Sequence, residues 1–485
     1  MTDVLRPKQL IDLTFYMMEK RVGVLHDPGV GKTPPLGVFA YYVWKEFQQK
    51  TVCVQPSSLM KKNRNEFLRF ATGFSPEDVI VIDGGTGDGT TENGSPSKKM
   101  EQMMSDAKVF IMTAEYWRRH WAKMYEKHPD IGLFIGDEWH LLYSGNDSDR
   151  TQNLYQFCSL NRKCRVIAST GSLIRGKLSS AYPLIHLIEP RYYGNFGAFL
   201  NHHAERDEYG TVIYWKNHER IAQILGKHAI RRTFAEEYGP EAKILFYEPT
   251  DMKPKMREAY DEFHERAFLE LDKTILDGSQ PGPAAVRARQ ISSHPETFGL
   301  CKGEVSGKDE RLILHLEDMK QIDNPGFVVF SSLIPEVERL YETVKSHGFK
   351  VDFMHGKKSG AKRAKIDEDY QAGRLDAIVA TVGTAGVGFN WHRSTDFFFQ
   401  SLNYDDTDFM QAIRRGIRGV RDHPLKLWVP SYINSIDQRI EYIIERKSTD
   451  ANKVDPSKEL IRFRPPEAEG NTDFEQGDKN FLLEY

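Results

Sequence analysis

Apolar residues fall in short runs, each followed by a turn of Gly, Pro, Ser or Thr and then by an apolar stripe at helical spacing. Val22–Leu25, Thr51–Val54, Val79–Asp83, Val109–Thr113, Ile131–Gly136 and Arg165–Ala168 read as buried parallel strands. Helical patterns separate them, among them Leu36–Phe47 and the stretch from Lys61 toward Phe70. A second series follows: strands Phe327–Phe330, Val351–Met354 and Ala377–Ala380, the helix Pro335–Ser346, and a helix starting at Gln411. Strands alternating with helices predict α/β architecture with parallel sheets in two lobes. Leu178–Arg232 reads as an elaboration of the first lobe, and Lys253–Leu276 as one long amphipathic helix closed by the Gly278–Pro283 break. The expected boundaries are a first lobe over 1–250 (elaborated at about 178–235), a helical insertion over 251–305, a second lobe over 306–450 and a flexible acidic tail over 451–485. Gly84 to Lys99, rich in Gly, Ser, Thr and Asn, is expected to be a surface loop.

Composition narrows the function classes. A formal net charge of −3 is too balanced for coating nucleic acid through bulk charge, so any such binding needs a local basic groove. The four cysteines have no CxxC spacing, which indicates neither zinc nor a disulfide framework. No apolar run reaches the length of a membrane span, and the start MTDVLRPKQL is not a secretory signal. The expectation is a cytoplasmic chain with no membrane partner.

Local chemistry enters at Asp27-Pro28-Gly29-Val30-Gly31-Lys32-Thr33, between a strand and a helix. Gly29 and Gly31 let the backbone N–H groups approach phosphate oxygens beside a positive helix N-terminus. Lys32 supplies a mobile cation for the β/γ-phosphates and Thr33 a hydroxyl for Mg²⁺, so ATP and Mg²⁺ are the expected ligands. His26 stands where the phosphate-loop pattern has Gly. The acidic partner is Asp137-Glu138, at the C-terminal end of the strand Ile131–Gly136, the edge where ligands bind in a parallel sheet. Asp137 suits Mg²⁺, and Glu138 suits orienting and deprotonating a water. Gln9, one element before the phosphate loop, has an amide able to read an adenine edge. Ser169-Thr170-Gly171-Ser172 ends another strand and suits a relay of nucleotide state. Arg415 and Arg418, three apart on one helical face, offer positive charge to a γ-phosphate.

Together these motifs resemble superfamily 2 helicases and translocases, and within them the Swi/Snf-type branch, from about Leu5 to Lys447. Leu5-Arg6-Pro7-Lys8-Gln9 is similar to the adenine-reading element and Gly29–Thr33 to motif I. Val54-Gln55-Pro56 with Glu66 is similar to motif Ia, with Asn63 where Trp is usual. Asp137-Glu138-Trp139-His140 resembles the DExH box. Thr170-Gly171-Ser172 resembles motif III, with Leu173 for Pro, and Ala385–Asn390 motif V, with Ala385 for Gly. Gln411-Ala412, Arg415 and Arg418 resemble motif VI. Arg231-Arg232, His294-Pro295 and Ser306-Gly307-Lys308 fall in the branch's order, and Ser435–Asp437 with Lys447 resemble its brace. The departures fit a distant member, with a compact phage-encoded origin expected.

The resemblance implies two RecA-like parallel-sheet lobes in tandem, with helical insertions between them and ATP in the cleft. It implies ATP contacts from Arg6 and Gln9, catalysis that includes Gln411, and coupling through His140, Thr170 and Gly388. Phosphate contacts on a nucleic acid are expected near Ser57, Lys61, Thr113, Ser331 and Thr381. The implied activity is an ATP-dependent DNA translocase, a monomer favouring duplex over branched or single-stranded DNA. A strand-separating or branch-remodelling helicase and an ATP-gated clamp for a protein partner are the alternatives.

Overall fold

The computed structural model describes residues 4–84, 96–174, 177–266, 268–271, 274–277, 281–300, 304–386, 388–417 and 419–463. Two compact units divide the chain, one of Met1–Gly239 with Asp450–Glu459, the other of Pro240–Thr449 with the chain from Leu460. Among the described residues no helix is long and apolar enough to cross a membrane.

The first unit contains β1 (Arg21–His26), β2 (Lys50–Val54), β3 (Val79–Val81), β4 (Val109–Met112), β5 (Ile131–Asp137), β6 (Arg165–Ser169), β7 (Ala204–Arg206), β8 (Val212–Trp215) and β9 (Ala229–Arg232). Seven of these form one sheet in the order β3-β4-β2-β5-β6-β1-β9, every pair parallel. Both faces are covered, as an all-parallel sheet requires. Phe134 packs into one core with Phe110, Trp117 and Phe157, while Leu133 and Ile135 pack into the other with Phe39 and Phe67. The remaining strands, β7 and β8, pair as an antiparallel hairpin within the expected elaboration.

The second unit contains β10 (Lys243–Thr250), β11 (Phe268–Leu271), β12 (Thr274–Asp277), β13 (Phe327–Ser331), β14 (Val351–Met354), β15 (Ala377–Thr381), β16 (Asp396–Phe399) and β17 (Leu425–Tyr432). Its main sheet runs β10-β17-β16-β13-β15-β14, again all parallel. These are the two parallel-sheet lobes in tandem that the sequence predicts.

Four expectations change. Residues 243–250, assigned to the first lobe, form a strand of the second, pairing with β17 along their whole length. Lys253–Leu276 is not one helix: it is the helix Pro254–Arg266 followed by the antiparallel β11–β12 pair. The polar Asp272-Lys273 interrupts a run rich in Phe, Leu, Ile and Thr, a pattern that suits two short strands better than a further helical turn. The helix carrying Gln411 begins at Asp406, not at Gln411, and ends at Gly416, with Ile417 extended behind it. Finally, residues 451–463 are not a free tail, because the helix Ile436–Val454 runs through their start, and Ile461 and Phe463 are buried. The remaining tail residues, 464–485, most of the loop at 84–99, and Arg418 lie outside the described residues.

Candidate nucleotide site

The phosphate loop leaves a strand whose residues from Val22 to His26 are all buried. Gly29 and Gly31 adopt φ of 91° and 85°, a region open to glycine and costly for other residues. At Gly31 a Cβ would also come 2.6 Å from Arg6 Nη2 and 2.9 Å from Gln9 Nε2. The helix Thr33–Phe47 starts directly after Lys32. Pro34 and Pro35 pre-set its φ but carry no N–H, so the donors at this end come from Thr33 and the loop before it. Lys32 Nζ lies 3.3 Å from the His26 carbonyl oxygen.

Arg6 and Gln9 close over the loop. Gln9 donates from Nε2 to the Gly31 carbonyl at 2.9 Å and accepts the Arg6 N–H at 2.8 Å. The amide thus ties its helix to the phosphate loop, leaving one N–H and one oxygen lone pair for a base edge. Arg6 donates to the Val30 carbonyl, to Glu237 at 3.2 Å and to the Tyr238 hydroxyl at 3.1 Å.

Beneath the loop lies a polar network that sequence reasoning missed. His26 Nε2 contacts Asp12 Oδ1, which also pairs with Arg232 Nη2 at 2.6 Å, and Arg232 Nε reaches Glu237 at 3.3 Å. Burial lowers the His26 pKa against the pull of Asp12, so the imidazole stays neutral. Alongside it, Arg231 donates to Asp27 Oδ1 at 3.0 Å, while Asp27 Oδ2 accepts the Phe234 N–H at 3.0 Å. Edge strand β9 thus accommodates two arginines because each meets a buried carboxylate. The doubled Arg231-Arg232 opposite a helix bearing Asp12 was the available signal.

The acidic pair ends β5, which lies between β2 and β6. Asp137 is 5% exposed, with Ser169 Oγ donating to one oxygen at 2.9 Å and Asn63 Nδ2 to the other at 3.0 Å. Asn63 also donates to Gln55 at 2.5 Å, so the residue standing where the resemblance has Trp orients the carboxylate. Burial, joined by the charge of Glu138, pushes the Asp137 carboxyl above its ordinary range, against Lys32, Ser169 and Asn63. A divalent cation beside it would restore the ionised form. Asp137 and the Thr33 hydroxyl are oxygen donors of the kind Mg²⁺ takes.

Glu138 sits at φ 55°, ψ 51°, a left-handed conformation rare for a side chain of this size and typical of functional positions. His140 Nδ1 lies 3.6 Å from Glu138 Oε2 and 2.8 Å from Thr170 Oγ1. Thr170 gives its one hydroxyl proton to the Ser172 carbonyl at 3.0 Å, so it accepts from His140 Nδ1–H. The expected coupling residues His140 and Thr170 therefore meet directly. Gly171 packs so tightly on the phosphate loop that a Cβ there would lie 2.8 Å from Pro28 Cδ.

In the second unit, Arg415 is buried in the last turn of the helix Asp406–Gly416, with Gln411 one turn earlier. Gly388 has φ 85°. The expected nucleic-acid contacts divide. Ser57 and Thr113 follow adjacent strands β2 and β4, Ser57 being exposed and Thr113 capping the helix Ala114–Lys127. Lys61 projects into solvent, its side chain 84% exposed. Thr381 bonds Thr384 at 2.6 Å. Ser331, its register partner in β13, is fully buried, its hydroxyl within hydrogen-bond reach of both Glu336 and the Leu333 carbonyl. That corrects the expectation for Ser331: its hydroxyl is spent inside the lobe.

Comparison with known proteins adds the following. The SNF2-related domain description matches residues 13–297, more than half of the chain, and the helicase conserved C-terminal domain matches 308–420. An ATP-dependent RNA helicase RhlB of Erwinia tasmaniensis is 28% identical over 28% of this chain and 34% of its own. A CHD3-type chromatin-remodeling factor of Arabidopsis thaliana is 19% identical over 92% of this chain and 37% of its own. The chain thus spans about a third of the length of these relatives. The crystal structure of the Pyrococcus furiosus Hef helicase domain superposes with a TM-score of 0.53 at 14% identity, covering 90% of this chain and 97% of that one, a likeness of fold.

Proposed function

The chain belongs to the SNF2-related family, with a helicase C-terminal domain behind the SNF2-related one, and from that premise we propose an ATP-dependent nucleic-acid motor that tracks duplex DNA. The observation that carries the reading is the convergence of Lys32, Asp137 and Glu138 on one sheet edge, with Glu138 next to the His140–Thr170 bond. ATP binds with its phosphates on the loop at Gly29–Thr33 and its base near Gln9 and Arg6. Thr33 and Asp137 would hold Mg²⁺, which would supply positive charge to the phosphates when bound. Lys32 leaves the His26 carbonyl for the phosphates, and Glu138 takes a proton from the attacking water. Arg415 and Arg418 supply positive charge to the transition state, and Gln411 lies one turn before Arg415. Gly388, with His140 and Thr170, passes the nucleotide state to the nucleic-acid grip at Ser57, Lys61, Thr113 and Thr381. The protein acts as a monomer.

Strand separation is the second reading, and one observation favours it. The β7–β8 hairpin carries Tyr209, Ile213 and Tyr214 exposed at 85%, 60% and 50%, a two-stranded projection with aromatic side chains. Measuring ATP turnover with no nucleic acid, single strands, duplex, forks and RNA tests the proposal, paired with third-strand displacement and fork unwinding. Duplex-stimulated turnover with third-strand displacement and weak unwinding is expected. Robust fork unwinding without displacement would replace translocation by helicase action.

A further inference from the structure

Residues 450–459, after the second unit's last strand, return to the first unit. Ala451 and Val454, 3% and 5% exposed, belong to its hydrophobic core, which anchors residues 450–459 as a strap. Beyond Val454 the strap grips two parts of the site. Asp455 Oδ2 lies 3.2 Å from Arg231 Nε, and Ser457 Oγ accepts from the same nitrogen at 2.8 Å. The other end of that guanidinium holds Asp27, the residue opening the phosphate loop. Lys458 Nζ donates to Ser172 Oγ at 2.6 Å. Ser172 in turn brackets Thr170: its N–H donates to Thr170 Oγ1 at 3.1 Å and its carbonyl accepts the threonine proton. Thr170 leads to His140 and so to Glu138.

We propose that Asp455 and Lys458 are positioning residues for ATP hydrolysis. Asp455 acts through Arg231 and Asp27 on the phosphate loop, and Lys458 through Ser172, Thr170 and His140 on Glu138. Neither touches the reacting atoms. Each removes a degree of freedom from a side chain whose placement the chemistry depends on, and small misplacements of such groups cost rate steeply. The two contacts divide the labour: one bears on where the phosphates sit, the other on where the base sits. The inference rests on the ATPase reading above.

The test is steady-state ATP turnover by the full chain, comparing wild type with Lys458→Ala, Lys458→Arg, Asp455→Ala and Asp455→Glu, and recording thermal unfolding of each. Lys458→Ala lowers kcat on the order of tenfold with KM for ATP little changed, within the ~100-fold that an ångström of misplacement can cost. Asp455→Ala raises KM for ATP instead. The conservative variants, Lys458→Arg and Asp455→Glu, recover most of each loss, and Tm stays near wild type throughout. If wild type turns over ATP and both alanine variants match it, the strap is only packing and the proposal fails. It fails equally if activity and Tm fall together with no rescue by the conservative variants. A wild-type chain with no turnover under any condition would remove the ATPase reading itself, and this proposal with it.

Discussion

His26 Nε2 lies 3.0 Å from Asp12 Oδ1 in a place where neither side chain reaches solvent. The same carboxylate oxygen pairs with Arg232, so Asp12 balances a buried guanidinium and a neutral imidazole together. Deleting one partner of a buried ion pair leaves the other charge uncompensated, at a cost of about 3–5 kcal/mol. Asp12→Ala is expected to destabilise the first unit by that order in equilibrium urea unfolding. A loss below about 1 kcal/mol would show that Glu237 alone satisfies Arg232.

Lys32→Ala and Glu138→Gln should separate binding from chemistry. The first removes the cation facing the phosphates, so ATP affinity and turnover both fall. The second preserves shape but cannot accept a proton, so ATP still binds while turnover drops roughly 10²–10⁴-fold. Fluorescent-nucleotide titration beside a phosphate-release assay distinguishes them. Near-normal turnover by Glu138→Gln would make the acidic pair structural.

Arg415→Ala and Arg418→Ala should leave ATP affinity close to wild type, because the nucleotide-binding loop belongs to the other unit. Turnover should collapse on the order of 10³-fold if either guanidinium meets the transition-state charge. Variants that hydrolyse ATP normally and bind DNA more weakly would make this a basic patch.

His315 in the second unit predicts a pH dependence. It packs against Phe398 and Trp428, and burial lowers its pKa to about 4. The unfolded chain carries an ordinary histidine near 6.5. With the folded value depressed, unfolding takes up a proton between those limits, so stability present above about 6.5 is lost as pH falls toward about 4. His315→Phe, which keeps a ring of similar shape but cannot titrate, should flatten that slope. Urea unfolding at several pH values, followed by a probe in the second unit, checks it; an unchanged slope would assign the acid sensitivity elsewhere.

The legible parts of this molecule are those written in consecutive residues. Strands β1 and β5 are apolar runs buried on both faces, and Lys32, Asp137 and Glu138 sit at their ends by local spacing. Strand β9 escaped notice because Arg231 and Arg232 do not look like sheet residues until Asp27 and Asp12 are seen beside them. The apolar patterns of β10 and β17 are broken by Pro249 and Pro430, which sequence alone reads against a strand. Pro249 is tolerated on an edge strand, and Pro430 falls beyond the pairing with β16. Asn63 was visible only as a departure from a pattern, since its partner Asp137 is 74 residues away.

The strap also fixes the order in which the molecule can be finished. A ribosome delivers Met1–Gly239 long before Asp450, yet Ala451 and Val454 fill part of that first unit's core. The emerging chain therefore holds an apolar vacancy open while Pro240–Thr449 is made, and the first unit is completed only by residues that follow that stretch. A fragment ending at Gly239 would carry the phosphate loop and the acidic pair but keep that apolar surface bare, a surface prone to self-association.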